Sequence, residues 1–297
     1  MVPELRLLRS FVAVVEAGSL SRAAAELHVA QQSLSQQMRT LEGQLGVALL
    51  TRSSRGVAPT EAGEVLLREA RAVLARAERA VDAVRRGARD VLRVGFLGSV
   101  ANYFMPPVVR AFAERHRDVT LQAEDMPIAA LVAGLREGRL DAALSRPPLV
   151  GDLATEVVYR EPIAAALPEG HRLASRAELT LADLADEPWV LTPRNSWPPW
   201  HRLYDEEYAR AGYEPRVVQR GSSVQNLLAL VAAGVGVTRL SMSARSLRDT
   251  GVSFVPLAGD EALTVLVWRP DAPNPLLPAL REVVRDLART TDLLAAG

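Results

Sequence analysis

Between residues 31 and 37 the chain reads Gln31-Gln32-Ser33-Leu34-Ser35-Gln36-Gln37, a run of amides and hydroxyls broken by one leucine. Such side chains do not transfer protons at neutral pH; their chemistry is directional hydrogen bonding. A glutamine amide matches the donor and acceptor on the edge of adenine, and a serine hydroxyl suits either base type or a phosphate. Composition alone equally describes a solvated helix face, so order and spacing must decide. Downstream, Thr51-Arg52-Ser53-Ser54-Arg55-Gly56 is a turn bearing two arginines, shaped to enter a minor groove. A second group of residues suits a small anion. Ser99 follows a strand pattern and precedes a helix, where its hydroxyl and the free backbone N–H groups can receive a carboxylate, or where it can be a plain helix cap. Arg146 ends another strand pattern and can pair with an anionic ligand, or with Glu161 or another acid. Arg194-Asn195-Ser196-Trp197-Pro198-Pro199-Trp200 is rigid and aromatic, and suits either the rim of a planar-ligand site or a cover for the core.

The elements that must position these groups follow from periodicity. Leu8, Phe11, Val12 and Val15 fall at helical spacing and Gly18 ends that helix. Ser19 or Ser21 caps a short, small-sided helix through Ala23, Ala24, Ala25 and Leu27, and His28-Val29-Ala30 connects it to a third helix carrying Leu34, Met38, Leu41 and Leu45. Helix, tight connection, helix is the helix-turn-helix layout, with the polar run at the exposed start of the last helix. Val47 to Leu50 and the following turn read as a short strand and wing. From Thr60 to about Asp90 the chain lacks proline, and Leu66, Ala70, Val73, Ala77, Ala80 and Val84 repeat at 4-3-4-3-4, the spacing of a heptad seam. The same pattern also describes a helix packed on its own domain. Arg85-Arg86-Gly87-Ala88-Arg89 reads as a hinge.

The remainder alternates strand and helix: strands at Leu92–Phe96, Val119–Ala123 and Leu140–Leu144, helices to about Arg115 and over Ile128–Glu137. That predicts a parallel, doubly wound sheet with a ligand site outside the strand ends. A second unit follows, with strands at Ile163–Leu167, Trp189–Leu191 and Arg216–Arg220 and helices over Leu181–Ala185, Trp200–Ala211 and Val224–Ala233. Strand Leu263–Trp268 and helix Leu276–Leu294 are expected to return to the first lobe, so that crossings near Arg160 and Gly259 make a hinged clamshell.

Bulk properties narrow the classes. The 297 residues are 48% hydrophobic, enough for two cores. With no cysteine, disulfides, thiolate metal sites and thiol catalysis are excluded. Net charge is zero, yet residues 1–90 hold 13 Arg against 10 acids while the rest holds 22 against 25. This mild asymmetry agrees with a nucleic-acid contact in the first third. Every basic residue is arginine, so anion contacts use the planar guanidinium fork. Met1-Val2-Pro3-Glu4 lacks the basic start and apolar run of a secretory signal, no stretch matches a membrane span, and a cytoplasmic location is expected. Four isolated histidines have no metal spacing, Gly234-Val235-Gly236 lacks the third glycine of a dinucleotide loop, and no nucleophile elbow occurs.

The chain resembles the LysR-type transcriptional regulators. The segments that carry the likeness are Leu8 to Leu20, Ala23-Ala24-Ala25-Glu26-Leu27-His28-Val29, Gln31 with Ser35, Leu41-Glu42, Leu45-Gly46-Val47, Leu49, Arg52 and Pro59-Thr60-Glu61-Ala62-Gly63. Leu135 to Ala142, Leu184 to Val190 and Leu230 to Val237 extend it through the second part. The resemblance implies a winged helix-turn-helix at 1–60, a dimerising linker helix at 61–90, and a two-lobed α/β effector domain at 91–297 similar to periplasmic solute-binding proteins. Lobe I would span about 91–160 and 265–297, and lobe II about 161–264. It implies that Gln31, Ser35 and Gln36 meet the major groove, that Arg52 and Arg55 serve the wing, and that Thr60 meets a phosphate; Gln32 and Ser33, in the same polar run, are expected to bind DNA beside them. Gln36 stands where the family frequently has arginine, and Gln32 and Leu50 also depart from frequent choices. Gly95-Phe96-Leu97-Gly98-Ser99, Ser145-Arg146 and Gly212-Tyr213-Glu214-Pro215 resemble the branch controlling aromatic-compound catabolism, whose effectors are aromatic or muconate-like carboxylates. The effector residues then expected are Ser99, Val100, Arg146, Arg194, Pro198 and Trp200, with Ile128 apolar where some members have a hydroxyl. Partners implied are promoter DNA, a second copy in a homodimer or homotetramer, RNA polymerase and a small carboxylate, with no cofactor, metal or membrane. Two rival readings are an extracytoplasmic solute-binding protein and an enzyme using Ser99 with His171 or His201; the first is opposed by the helix-turn-helix, the second by the lack of a suitably spaced acid or base.

Overall fold

A computed structural model describes residues 2–53, 56–85, 90–248, 250–271 and 274–290. Its contacts divide the chain into two compact units, Met1–Arg89 with Arg136–Arg139, and Asp90–Leu135 with Leu140–Gly297.

The first unit begins with helices α1 (Leu5–Ala17), α2 (Leu20–Glu26) and α3 (Gln31–Leu45). α1 stops at Gly18, whose φ of 59° is the left-handed conformation that glycine adopts without steric cost. Ser19 caps α2 by accepting from the Arg22 amide. Phe11 and Val14 of α1, Ala23 of α2, and Leu34, Met38 and Leu41 of α3 close a shared core, and all are essentially excluded from solvent. A two-stranded antiparallel wing, β1 (Leu50–Ser53) and β2 (Gly56–Pro59), follows, and then helix α4 (Glu61–Arg85). The first wing strand starts at Leu50, not Val47. The side chain of Leu49 is buried, and its amide and that of Leu50 are taken by Oε1 of Glu42 at 2.8 and 3.2 Å. A carboxylate accepting two amides fixes where the wing leaves the core. The other strand is anchored by the Val57 amide, which donates to the Gly18 carbonyl at 3.0 Å.

Gly63 lets α4 rest on this turn, since a Cβ there would lie 2.1 Å from the Leu49 carbonyl oxygen. Backbone cannot yield as a flexible side chain can. Gly63→Ala is therefore expected to lower stability by about 1–3 kcal/mol. An unchanged denaturation midpoint in the full chain would show that the contact relaxes freely.

α4 divides the expected heptad seam. Ala70 is 1% exposed and Leu66 packs against the core of its own unit, so neither belongs to a free stripe. Ala77 is half-buried and Ala80 exposed. Val73 and Val84 do face solvent, together with Val65 and Val81. The inner face of α4 is thus committed locally, and the outer valines are the apolar surface left over. Of the expected hinge, residues 86–89 lie outside the described residues, as does Arg55 of the wing.

The second unit is built on a six-stranded sheet ordered β4-β3-β5-β10-β6-β9, with β3 (Asp90–Leu97), β4 (Val119–Met126), β5 (Ala142–Ser145), β6 (Ala154–Pro168), β9 (Thr238–Ser241) and β10 (Val252–Trp268). β3 pairs in parallel with β4 and β5, as alternation predicts. β10 runs antiparallel to both β5 and β6, so the sheet is mixed, not fully parallel. Both long strands exceed the expected segments because each passes from one lobe into the other. Their ladder breaks register between Pro256 and Glu261, where Gly259 has φ 72°. Helices α5 (Gly98–Arg115), α6 (Ile128–Arg136) and α9 (Leu277–Thr290) cover lobe I, while a small parallel pair, β7 (Pro188–Leu191) and β8 (Arg216–Arg220), joins α7 (Pro198–Arg210) and α8 (Val224–Ala232) in lobe II. The segment Leu181–Leu184 is a single 3-10 turn with a capping box from Thr180 and Asp183. No helix among the described residues is long and apolar enough to cross a membrane.

Candidate functional site

The start of α3 presents Gln31, Gln32, Ser33 and Gln36 to solvent, with Ser35 half-buried beside them. Leu34 and Met38 point the opposite way into the core, so helical spacing itself turns the polar residues outward. The Gln31 carboxamide accepts from Ser21 Oγ at 3.0 Å, which orients it. Arg52 is exposed on β1. Thr60 serves a different purpose from the expected phosphate contact. Its hydroxyl donates to the Ala48 carbonyl at 2.8 Å and accepts from the Gly63 amide at 3.0 Å. The one proton of that hydroxyl is committed, and Thr60 caps α4.

In the second unit a cavity of about 370 Å³ is lined by groups from both lobes, including Ser99, Arg146, Trp200, Tyr204, Arg239 and Asp260. Its volume lies in the range of small-ligand sites. Ile163, Leu191, Leu203, Leu227 and Leu263 give it an apolar wall. Ser99 sits in the first turn of α5 and is not its cap, because Leu97 holds that position without any side-chain bond. The positive end of this helix therefore faces the cavity beside the Ser99 hydroxyl.

Arg146 is the hub of a buried network. Its Nη2 reaches Glu161 at 2.8 Å, Ser241 Oγ at 2.9 Å and Tyr103 Oη at 3.2 Å, and its Nε reaches Ser99 Oγ at 3.4 Å. Glu161 is fully buried and also accepts from the Ser243 amide at 2.7 Å. Nη1 of Arg146 is buried and makes no hydrogen bond among the described residues. Burial works against the Arg146 charge, but Tyr103 and Glu161 outweigh it and hold its pKa above the ordinary value. Burial pushes Tyr103 up to about 12, against the pull of Arg146, so its phenol stays neutral and bonds Thr264 Oγ1 at 2.8 Å.

A second guanidinium, Arg239, is 4% exposed; it pairs with Glu207 and lies 3.0 Å from Asp260, over the Tyr204 ring. Burial raises the Asp260 pKa while Arg239 lowers it, with a net rise. His201 is held below its ordinary value, first by burial and then by Arg194 and Arg220, against the Pro193 carbonyl it bonds at 2.9 Å. It is therefore neutral at pH 7 and adds no cation.

Of the residues expected at the ligand, Ser99, Arg146 and Trp200 come together here. Val100 and Ile128 do not: both are buried in the lobe I core, where spacing turns them away from the cavity. Arg194 forms a two-pronged pair with Asp205 at 2.7 and 3.1 Å and borders a separate polar pocket. Pro198 opens α7 outside the lining. The two tryptophans divide the alternatives left open by the sequence. Trp197 packs into the core and donates to the Pro148 carbonyl at 2.8 Å; Trp200 lines the cavity and donates to the Pro147 carbonyl at 3.1 Å. Arg239, Glu207 and Asp260 were not legible in the sequence, because they come from β9, α7 and the bend of β10, and no spacing links them. Among the described residues no cluster of three metal-ligating side chains occurs. His171 pairs with Glu187 at 3.2 Å, and His201 bonds the Pro193 carbonyl and the Thr192 hydroxyl, whereas the Ser99 hydroxyl meets Arg146.

Comparison with known proteins agrees with both halves. Residues 5–64 match the model of the bacterial regulatory helix-turn-helix protein, lysR family, and residues 85–289 that of the LysR substrate binding domain. The chain is 33% identical over 280 residues to the transcriptional regulator AlsR of Bacillus subtilis, covering 92% of this chain and 93% of that protein. It is 32% identical over 266 residues to the regulator BenM of Acinetobacter baylyi, covering 88% of each. The crystal structure of full-length CbnR complexed with its target DNA superposes with a TM-score of 0.69 at 29% identity, covering 96% of this chain and 99% of that one. The chain belongs to the LysR family of bacterial transcriptional regulators, a DNA-binding helix-turn-helix joined to an effector-binding domain.

Proposed function

We propose that this regulator senses a small carboxylate with an aromatic or conjugated body, held by Ser99, Arg146 and the start of α5 against Trp200. The carrying observation is the Arg146 guanidinium, which lines the cavity with 12% of its side chain exposed and stands beside the Ser99 hydroxyl. A guanidinium at a cavity wall offers charge-assisted donors to an incoming carboxylate oxygen. A monocarboxylate suits the cavity better than a muconate-like dianion, because Arg146 already has Glu161 as its counter-ion. Such an effector acts by binding one lobe arrangement better than another, and its leverage is limited to that difference. The protein would work in the cytoplasm as a homodimer or homotetramer, address RNA polymerase at promoters, and need no cofactor.

For DNA, Gln31, Gln32, Ser33, Ser35 and Gln36 would read the major groove, with Arg52 and Arg55 in the wing. Ser35→Ala or Gln36→Ala should weaken specific binding by about 1–3 kcal/mol and relax preference at one base pair. Arg52→Ala should weaken all sequences alike and flatten the salt dependence by about one phosphate. Fluorescence anisotropy with promoter-proximal and scrambled duplexes over a salt series separates the two. Equal losses on both duplexes for Ser35→Ala and Gln36→Ala would remove these residues from base reading.

A further inference from the structure

The cavity has a second polar pole. Arg239 is enclosed between Glu207 and Asp260, and all three line the cavity. Asp260 Oδ2 is buried, and although 3.0 Å from an Arg239 amine it is not aligned for a hydrogen bond. Two guanidiniums, Arg146 and Arg239, thus face three lining carboxylates, Glu207, Asp260 and Glu261. Including Glu161 behind Arg146, Arg160 beside Glu261 and Arg210 acting on Asp260 makes the balance neutral, four guanidiniums against four carboxylates. His201 contributes none at neutral pH. A simple anion entering this space makes it net negative, and a dianion worsens it. Placing a positive charge beside a partly desolvated carboxylate is favourable because the screening of bulk water is reduced there.

We propose that the effector is bipolar, a small carboxylate that also carries an ammonium group, with the carboxylate at Arg146 and Ser99 and the ammonium at Asp260 and Glu207. This rests on the reading of the cavity as the carboxylate-effector site. The apolar wall between the poles takes the body of the molecule, and the ammonium supplies donors to the partly exposed Asp260 carboxylate while keeping the site neutral. Arg239 stays in place as the fixed counter-charge that keeps two carboxylates tolerable in one wall.

The test is calorimetry of the full-length protein with para-substituted benzoates of one shape: 4-(aminomethyl)benzoate, 4-(hydroxymethyl)benzoate, 4-methylbenzoate and terephthalate. A second series compares 6-aminohexanoate with hexanoate, a flexible chain that carries its two charges at opposite ends. In at least one series the ammonium compound is expected to bind about tenfold or more tighter than its methyl or hydrogen counterpart, with terephthalate weakest, as for one added charge-assisted hydrogen bond. Asp260→Asn should reduce that ratio toward unity; Glu207→Gln serves as a second variant should Asp260→Asn melt early. A wild type that binds the monocarboxylates without preferring the ammonium compounds overturns the bipolar proposal and leaves the carboxylate site standing. A preference that survives undiminished in both variants overturns the bipolar proposal equally. A wild type that binds none of the carboxylates overturns the carboxylate site and the bipolar proposal together.

Discussion

Arg146→Met is expected to lower the stability of the effector domain by about 3–5 kcal/mol, the cost of leaving a buried partner charge uncompensated. The partner is Glu161, whose carboxylate has no solvent exposure and keeps only neutral partners, Ser243 and Tyr103, once the guanidinium is gone. The loss should be largely recovered in Arg146→Met/Glu161→Gln, since a neutral amide still accepts from the Ser243 amide without carrying a buried charge. Denaturant unfolding of the two variants, monitored through the tryptophans, reads the difference. A single variant as stable as wild type, or a double variant no better than the single, would show that Glu161 is compensated by something other than Arg146. Effector binding should be lost in both variants, which separates the ligand role of Arg146 from its structural one.

Val73→Asp is expected to convert the protein to monomers and to cut specific DNA affinity by about 10²–10⁴, the range by which linking two binding heads raises avidity. Val73 is 45% exposed within one chain, so the aspartate costs the isolated fold little; the damage arises only if a second α4 covers it. Sedimentation velocity with a thermal melt distinguishes these outcomes. An unchanged sedimentation coefficient would place the pairing surface off the face that carries Val73, Ala80 and Val84. An early melt would instead mark Val73 as part of the chain's own core.

Much of this protein could be read directly from local pattern. The helix-turn-helix was legible because apolar residues at helical spacing, Gly18 and the polar run at Gln31–Gln37 all point to one arrangement, and each is a short-range preference. Element types in lobe I followed from alternation for the same reason. The linker helix was legible as a helix, but not the division of its face. Spacing alone cannot say whether an apolar residue meets its own domain or another chain, and Leu66 and Ala70 proved to meet their own. The long strands β6 and β10 were only half visible. Each changes neighbours midway, and the charged, alternating halves at Thr155–Arg160 and Asp260–Glu261 lack a continuous apolar signature.

The sequence by itself determined the family, the helix-turn-helix, the absence of thiol chemistry, and Ser99, Arg146 and Trp200 as candidates to meet a ligand. Those conclusions need only residue types and their near neighbours. Tertiary structure decided which candidates share a cavity. It removed Val100 and Ile128 to the core and Arg194 to a pair with Asp205, turned Thr60 and Glu42 to holding the wing, and assembled Arg239, Glu207 and Asp260 into a pole. The reason is physical: a binding site is made where chain segments far apart in sequence converge, and the charge balance of such a place is a sum over neighbours that no local pattern contains.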